Sequence, residues 1–269
     1  MAVQLEFDQR PRPFLAAKDS LLMIKRSATH IIRNRDQLLG TFIQPIMFLV
    51  LFSVVFGGAI SKALPPGISY LNFLMAGIIV QTAAFGSTMT ATSVANDLQK
   101  GIVDRFRSLP MSNLAVLNGH VVSDVIRNTI STVIMLLVGL IIGFRSGASI
   151  TDWLLIAAII VLFTIAFSWL SAIVGLLAKS VEGVQWMVFV MVLPLTFAST
   201  AYVPTEGMNP ILKAFALNQP LTQIVEAIRA LMLGTPLGNY GWLSVAWSVG
   251  ILVVAVPTAS WLFRRRTSN

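Results

Sequence analysis

The feature that most constrains this chain is a series of long apolar stretches, several of 17 or more residues, that contain no Asp, Glu, Lys or Arg at all. A helix of about 20 apolar residues spans the hydrocarbon core of a bilayer. A closed barrel would need strands that alternate apolar and polar residues, and these stretches are apolar on every face. The spans are therefore predicted to be helices, which satisfy their own backbone hydrogen bonds inside lipid. Composition agrees: 56% of the residues are hydrophobic and 11% charged, against roughly 25% charged in soluble domains. The predicted class is an all-α integral membrane protein.

Six spans are predicted, at about 39–61, 70–95, 119–143, 153–178, 186–203 and 242–263. The third is the least regular, because Asp124 and Arg127 sit near its start and leave 128–144 as its uncharged part. Gly139 and Gly143 make a small-residue pair that would permit close helix packing. The first 36 residues are too charged for a cleavable signal peptide, so the first span is expected to anchor the chain.

Orientation follows from the basic residues, of which there are 19. Fifteen fall on the side that holds both termini, among them Arg10, Arg12, Lys18, Lys100, Arg105, Arg107, Lys179 and Arg264 to Arg266. Four, Lys62, Arg145, Lys213 and Arg229, fall on the other side. The positive-inside rule then places both termini in the cytoplasm. This placement at span ends also explains the net charge of +8 without nucleic acid. Cysteine is absent, which excludes disulfides and thiolate chemistry.

Under this topology 96–113 is the first cytoplasmic loop and 178–185 a short second one. Before the first span, Phe14, Ala17, Leu21, Ile24, Ala28 and Ile31 recur at helical spacing, the pattern of an amphipathic helix on the cytoplasmic membrane surface. On the outer side, 204–241 is too apolar for a solvated loop. Two helical pieces, about 208–217 and 220–233, are predicted to lie in or dip into the outer leaflet, separated by Asn218, Gln219 and Pro220.

Catalytic constellations fail in turn. His30 and His120 have no metal-binding spacing, and no GxSxG elbow occurs. Asp97 and Asp124 are read at span ends and Glu182 in a loop, so no mid-membrane carboxylate for a proton-coupled carrier is expected. A phosphate-binding GxxxxGK[ST] loop is lacking, so the chain is not expected to hydrolyse ATP itself.

The loop NDLQKGIVDRFRSLPMSN is richer than a connector needs to be. Gly101 and Pro110 bracket a short helix at about 102–109, with an apolar stripe of Ile102, Val103, Phe106 and Leu109 flanked by Arg105 and Arg107. An aromatic between arginines is the composition of a protein-interface anchor. A juxtamembrane helix on lipid headgroups would show the same pattern.

The arrangement Asp97-x-x-x-Gly101-x-x-Asp104-Arg105-x-Arg107-x-x-Pro110 resembles the first cytoplasmic loop of type-2 ATP-binding-cassette exporter permeases, and most of all the daunorubicin-resistance subgroup. A second similarity lies outside: Val203-Pro204, Asn209-Pro210, then Asn218-Gln219-Pro220-Leu221-Thr222 followed by Glu226 and Arg229, with Gln219 inserted relative to the family pattern. The resemblance covers nearly the whole chain. It implies that 102–109 is a coupling helix seated in a groove of a separate cytosolic ATPase, with Phe106 in the groove and Arg105 and Arg107 on polar or acidic groups. Asp97 and Gly101 would form the elbow to span two, Asp104 and Pro110 complete the motif, and Glu182 would make a secondary contact. Pro204, Asn218, Pro220, Thr222, Glu226 and Arg229 would belong to an outer gate, with Glu226 and Arg229 bracing its helices.

Polar residues within the spans are hydroxyls and amides. Most are expected to bond back to their own helix, with a kink at Gln44-Pro45. Gln44, Gln81, Phe85, Thr88, Met89, Thr196, Phe197 and Thr200 are nonetheless candidates to line a cavity for an amphipathic cargo. The expected function is that of an exporter permease in a bacterial plasma membrane, moving a drug, secondary metabolite or lipid. ATP and Mg would be held by two copies of the partner ATPase, and a second permease chain, identical or paralogous, would complete the pathway. Export of lipid-linked polysaccharide is the nearest variant. A membrane-embedded enzyme subunit and a standalone carrier find less support.

Overall fold

A computed structural model describes residues 35–100, 113–178 and 180–267. The expected surface helix before the first span and the loop helix 102–109 lie outside the described residues. All elements among the described residues are helical, and the chain is an all-α membrane protein.

Helix α1 (Arg35–Leu51) runs into a π-helical turn, Phe52–Phe56, and a short α2 (Gly57–Ile60). Then follow α3 (Tyr70–Gln99), α4 (Asn113–Ile142), α5 (Ile150–Leu177), α6 (Val181–Phe197), α7 (Pro210–Asn218), α8 (Pro220–Leu233) and α9 (Tyr240–Thr267). Their starts have local causes. Ser69, Ser149 and Ser180 cap α3, α5 and α6 by accepting the backbone N–H of Asn72, Asp152 and Gly183, satisfying donors that have no partner within the helix. Ser149 and Asp152 complete a reciprocal capping box. Helices α7 and α8 each open with proline behind an amide cap, Asn209-Pro210 and Gln219-Pro220. Gly234, at φ 67°, closes α8 in the left-handed region.

Among the described residues, five helical stretches are long and apolar enough to cross a membrane: Phe42–Ala63, Tyr70–Gln99, Val116–Ile142, Ile150–Leu177 and Tyr240–Arg266. Val181–Phe197 is apolar but has 17 residues, about 25 Å at 1.5 Å per residue. It was expected at 186–203. The Ser180 cap starts it earlier, and 198–203 leaves the helix after Pro194. The interval between α5 and α6 therefore shrinks to 178–180, and Glu182 stands in the first turn of α6 rather than in a loop.

Helix α3 is the axis of the molecule. It is the most enclosed span and packs on α1, α4, α5, α6 and α8. Its close approach to α5 needs Gly175, where a Cβ would run into the backbone of Ala91. Trp169, Ala172 and Leu176 of α5 pack in turn on Ala255, Ala259 and Phe263 of α9. The glycine pair of α4 is divided. Gly139 faces the Met75 side chain of α3, whereas Gly143, at φ 118°, ends its helix with open space beside it. Elsewhere α1, α4, α6 and α9 turn large apolar side chains outward, among them Met47, Ile141, Trp186 and Val253. Such faces suit lipid, because the hydrocarbon makes no demand for polar groups on the outer surface.

Candidate functional site

Two polar sites are built on α3, one near each end. Of the loop residues, Gly101, Asp104, Arg105, Phe106, Arg107 and Pro110 lie outside the described residues. Asp97 lies in the last turns of α3, and its carboxylate sits 2.9 Å from Nε2 of His120 on α4. The two helices that flank 101–112 are thus bridged at their ends nearest that segment.

Further along α4, Asp124 is not at a helix end. It was expected there because the third span was predicted to begin at 119, but α4 begins at Asn113. The carboxylate is 1% exposed. It accepts from the backbone N–H of Thr90 (3.2 Å), the Thr90 hydroxyl and the Ser168 hydroxyl (3.2 Å). Arg127 places Nη1 3.0 Å from Oδ1, an ion pair by distance whose N–H is not aligned as a hydrogen bond. A buried charge persists only when it is paired and hydrogen-bonded. Here the partners come from α3, α4 and α5, so the cluster pins three helices together. Asn128, one residue beyond Arg127, adds Nδ2 bonds to the Ala83 carbonyl (3.3 Å) and the Ser87 hydroxyl (3.4 Å). Its carboxamide occupies the space a Cβ on Gly86 would take.

At the other end of α3, Arg229 is 5% exposed. Its Nε donates to the Phe73 carbonyl (3.1 Å), Nη2 to the Thr200 carbonyl (2.7 Å) and Nη1 to Glu226. Its guanidinium also lies over the Phe73 ring. One cation therefore joins α8, α3 and the segment after α6. Thr222 reinforces this junction by accepting from the Thr200 N–H (3.4 Å). Gln219 bonds the carbonyls of Leu195 (2.8 Å) and Ala198 (3.3 Å), which are left open where α6 ends. Pro220 stands at the first turn of α8, Pro204 caps the short turn Thr205–Gly207, and Asn218 bonds back to Ala214 within α7.

Beside this junction is a cavity of about 600 Å³, bordered by Lys62, Glu206, Glu226, Arg229 and Tyr240. Of the eight candidate cargo residues only Thr200 lines it. Gln44 is exposed on α1. The hydroxyls of Thr88 and Thr196 are spent on Phe85 and Val192 carbonyls of their own helices. Phe85 and Met89 are half-buried, Gln81 is buried, and Phe197 is partly exposed against the Tyr202 ring. These residues do not converge on the cavity. The Asp124 cluster and the role of His120 were missed in sequence, since Thr90 and Ser168 stand 34 and 44 residues from the carboxylate they serve.

Membrane-length helices wrapped round a central one, held by polar ties at both ends, define a multi-pass membrane protein. Comparison gives its family: the ABC-2 type transporter model matches residues 19–233, and the chain belongs to that family. It is 28% identical to the daunorubicin resistance ABC transporter permease protein DrrB1 of Streptomyces coeruleorubidus, covering 98% of this chain and 93% of that one. It is 26% identical to the probable doxorubicin resistance ABC transporter permease protein DrrC of Mycobacterium tuberculosis, over 91% and 88% of the two chains. A putative transport permease, ycf38, of Porphyra purpurea is 27% identical over 79% and 73%.

Proposed function

We propose that this chain is the membrane subunit of an exporter that moves an amphipathic drug, secondary metabolite or lipid outward, driven by ATP hydrolysis on a separate cytosolic subunit. The observation that carries this reading is the extent of the family match, residues 19–233, which takes in both the cytoplasmic loop motif and the outer helices. In this reading Val181–Phe197 completes six spans, both termini are cytoplasmic, and the membrane is the bacterial plasma membrane. Two permease chains form the pathway, and two ATPase subunits, carrying ATP and Mg, grip the loop helices through Phe106, Arg105 and Arg107.

Helix α3 supplies the transmission. It meets the loop through Asp97 and the outer junction through the Phe73 carbonyl that Arg229 holds. The Asp124 cluster makes α3, α4 and α5 one body, so a displacement of the loop reaches the outer junction rather than dissipating in side-chain motion. ATP binding then shifts the population between inward- and outward-open states, by no more than the difference in ATPase affinity for the two. The test is purification together with the partner ATPase, comparing wild type with Phe106→Ala combined with Arg105→Ala. Loss of co-purification with the chain still folded supports the reading. Undiminished co-purification and undiminished cargo-stimulated hydrolysis contradict it.

A further inference from the structure

Four charged side chains border the outer cavity, two acidic and two basic: Glu206, Glu226, Lys62 and Arg229. Glu226 and Arg229 are paired with each other, and Arg229 also donates from Nε and Nη2 to the carbonyls of Phe73 and Thr200. That leaves Lys62 and Glu206, both exposed and neither in an ion pair among the described residues. They come from different elements, Lys62 from the turn Ser61–Ala63 that ends the first span and Glu206 from the turn Thr205–Gly207 ahead of α7. Leu64, Ile68, Leu217 and Leu233 make the wall apolar. Thr200, which also lines the cavity, is 5% exposed and its hydroxyl oxygen has no hydrogen-bond partner among the described residues. A buried hydroxyl without a partner costs free energy that a ligand oxygen would recover.

A simple anion in this space would face Glu206 unscreened, and a simple cation would face Lys62. A ligand carrying both signs answers both, and an apolar wall calls for a hydrocarbon portion. At about 600 Å³ the space falls within the range of ordinary small-molecule sites. We propose that this cavity binds a zwitterionic amphiphile, with its anionic group at Lys62, its ammonium at Glu206 and its apolar part on the leucine wall. Thr200 serves an oxygen of the linkage between them. The placement of the cavity at the outer headgroup level rests on the exporter reading; the binding chemistry does not. An outer-leaflet glycerophospholipid and an exported zwitterion share this chemistry.

The test titrates the purified full-length chain, in neutral detergent, with dihexanoyl phosphatidylethanolamine and, as an anionic control, dihexanoyl phosphatidylglycerol, read by native mass spectrometry. The zwitterionic lipid should bind more tightly than the anionic one. Lys62→Gln and Glu206→Gln should each weaken it by about fivefold, the upper range for one exposed charge pair. Both positions are exposed, so the variants should keep the wild-type melting temperature. Equal binding of the two lipids, or variants that bind like wild type, would overturn the proposal. In proteoliposomes with the ATPase, stimulation of hydrolysis by the dihexanoyl lipid identifies it as cargo-like, and binding without stimulation identifies a resident lipid. No ATPase is needed for the titration, so its failure removes this site and leaves the exporter reading standing. Undiminished co-purification and hydrolysis in the Phe106→Ala, Arg105→Ala variant do the reverse.

Discussion

The guanidinium of Arg229 lies 3.6 Å from the centre of the Phe73 ring while its Nε donates to the carbonyl of that same residue at 3.1 Å. The contact joins α8 to the central α3 through residues 156 apart in the chain. Planar donors in a fork make this arrangement possible, and a lysine has no such fork.

Arg229→Lys should therefore lower the melting temperature, because two of the carbonyl and carboxylate acceptors lose their donors. Arg229→Ala should cost more, on the order of 3 kcal/mol, as expected when a buried pair loses one member. Adding Glu226→Gln to Arg229→Met should recover part of the loss. Thermal unfolding in detergent, arranged as a double-mutant cycle, measures the coupling.

The Asp124 cluster makes a parallel prediction inside the bundle. Asp124→Leu leaves Arg127 buried beside an apolar neighbour and should destabilise by roughly 3–5 kcal/mol. The double change Asp124→Leu with Arg127→Met should be milder than Asp124→Leu alone, since it removes both charges. A double variant as damaged as the single one would show that the hydroxyl bonds from Thr90 and Ser168, rather than the pairing with Arg127, are what hold the helices.

Close helix approach predicts position-specific effects of one methyl group. Gly175→Ala would press on the Ala91 backbone and should cost about 1–3 kcal/mol. Gly250→Ala has open space beside it and should be neutral or slightly stabilising, given alanine's helix propensity. Melting temperatures of the two variants side by side check the packing of α3 on α5.

How much of this was legible in sequence differs by the kind of interaction. The long spans were, because lipid imposes a requirement on every residue of a run. Helices α7 and α8 were also, since Asn209-Pro210 and Gln219-Pro220 are local start signals. Glu182 was misplaced although its cue was local: Ser180 caps the helix that contains it. Asp124 was a different case. A carboxylate ahead of an apolar run looks like a span end, and only the fold brings Thr90 and Ser168 to it. Glu226, three residues away on the same helix, was legible as a partner of Arg229, but the other partners were illegible for a deeper reason. They are the carbonyls of Phe73 and Thr200, and a backbone acceptor carries no residue identity to read.

The contact between Asp97 and His120 (2.9 Å) predicts that paired cysteines at these positions react with a short bifunctional thiol reagent. The chain contains no cysteine of its own, so no background is expected. Cross-linking should proceed in native membranes and should slow cargo-stimulated ATP hydrolysis if α3 and α4 must adjust their spacing during the cycle. Hydrolysis at the uncross-linked rate would mean that this bridge stays fixed throughout.

The central claim is that the loop between α3 and α4 faces the cytosol and is covered by the ATPase. The most direct measurement places one cysteine in that loop, Ser108→Cys, and follows its reaction with a membrane-impermeant maleimide. The account predicts no labelling in intact spheroplasts, rapid labelling in inside-out vesicles, and loss of that labelling when the ATPase is bound. Labelling from the outside of spheroplasts, or labelling of inside-out vesicles that the bound ATPase leaves unchanged, would contradict it.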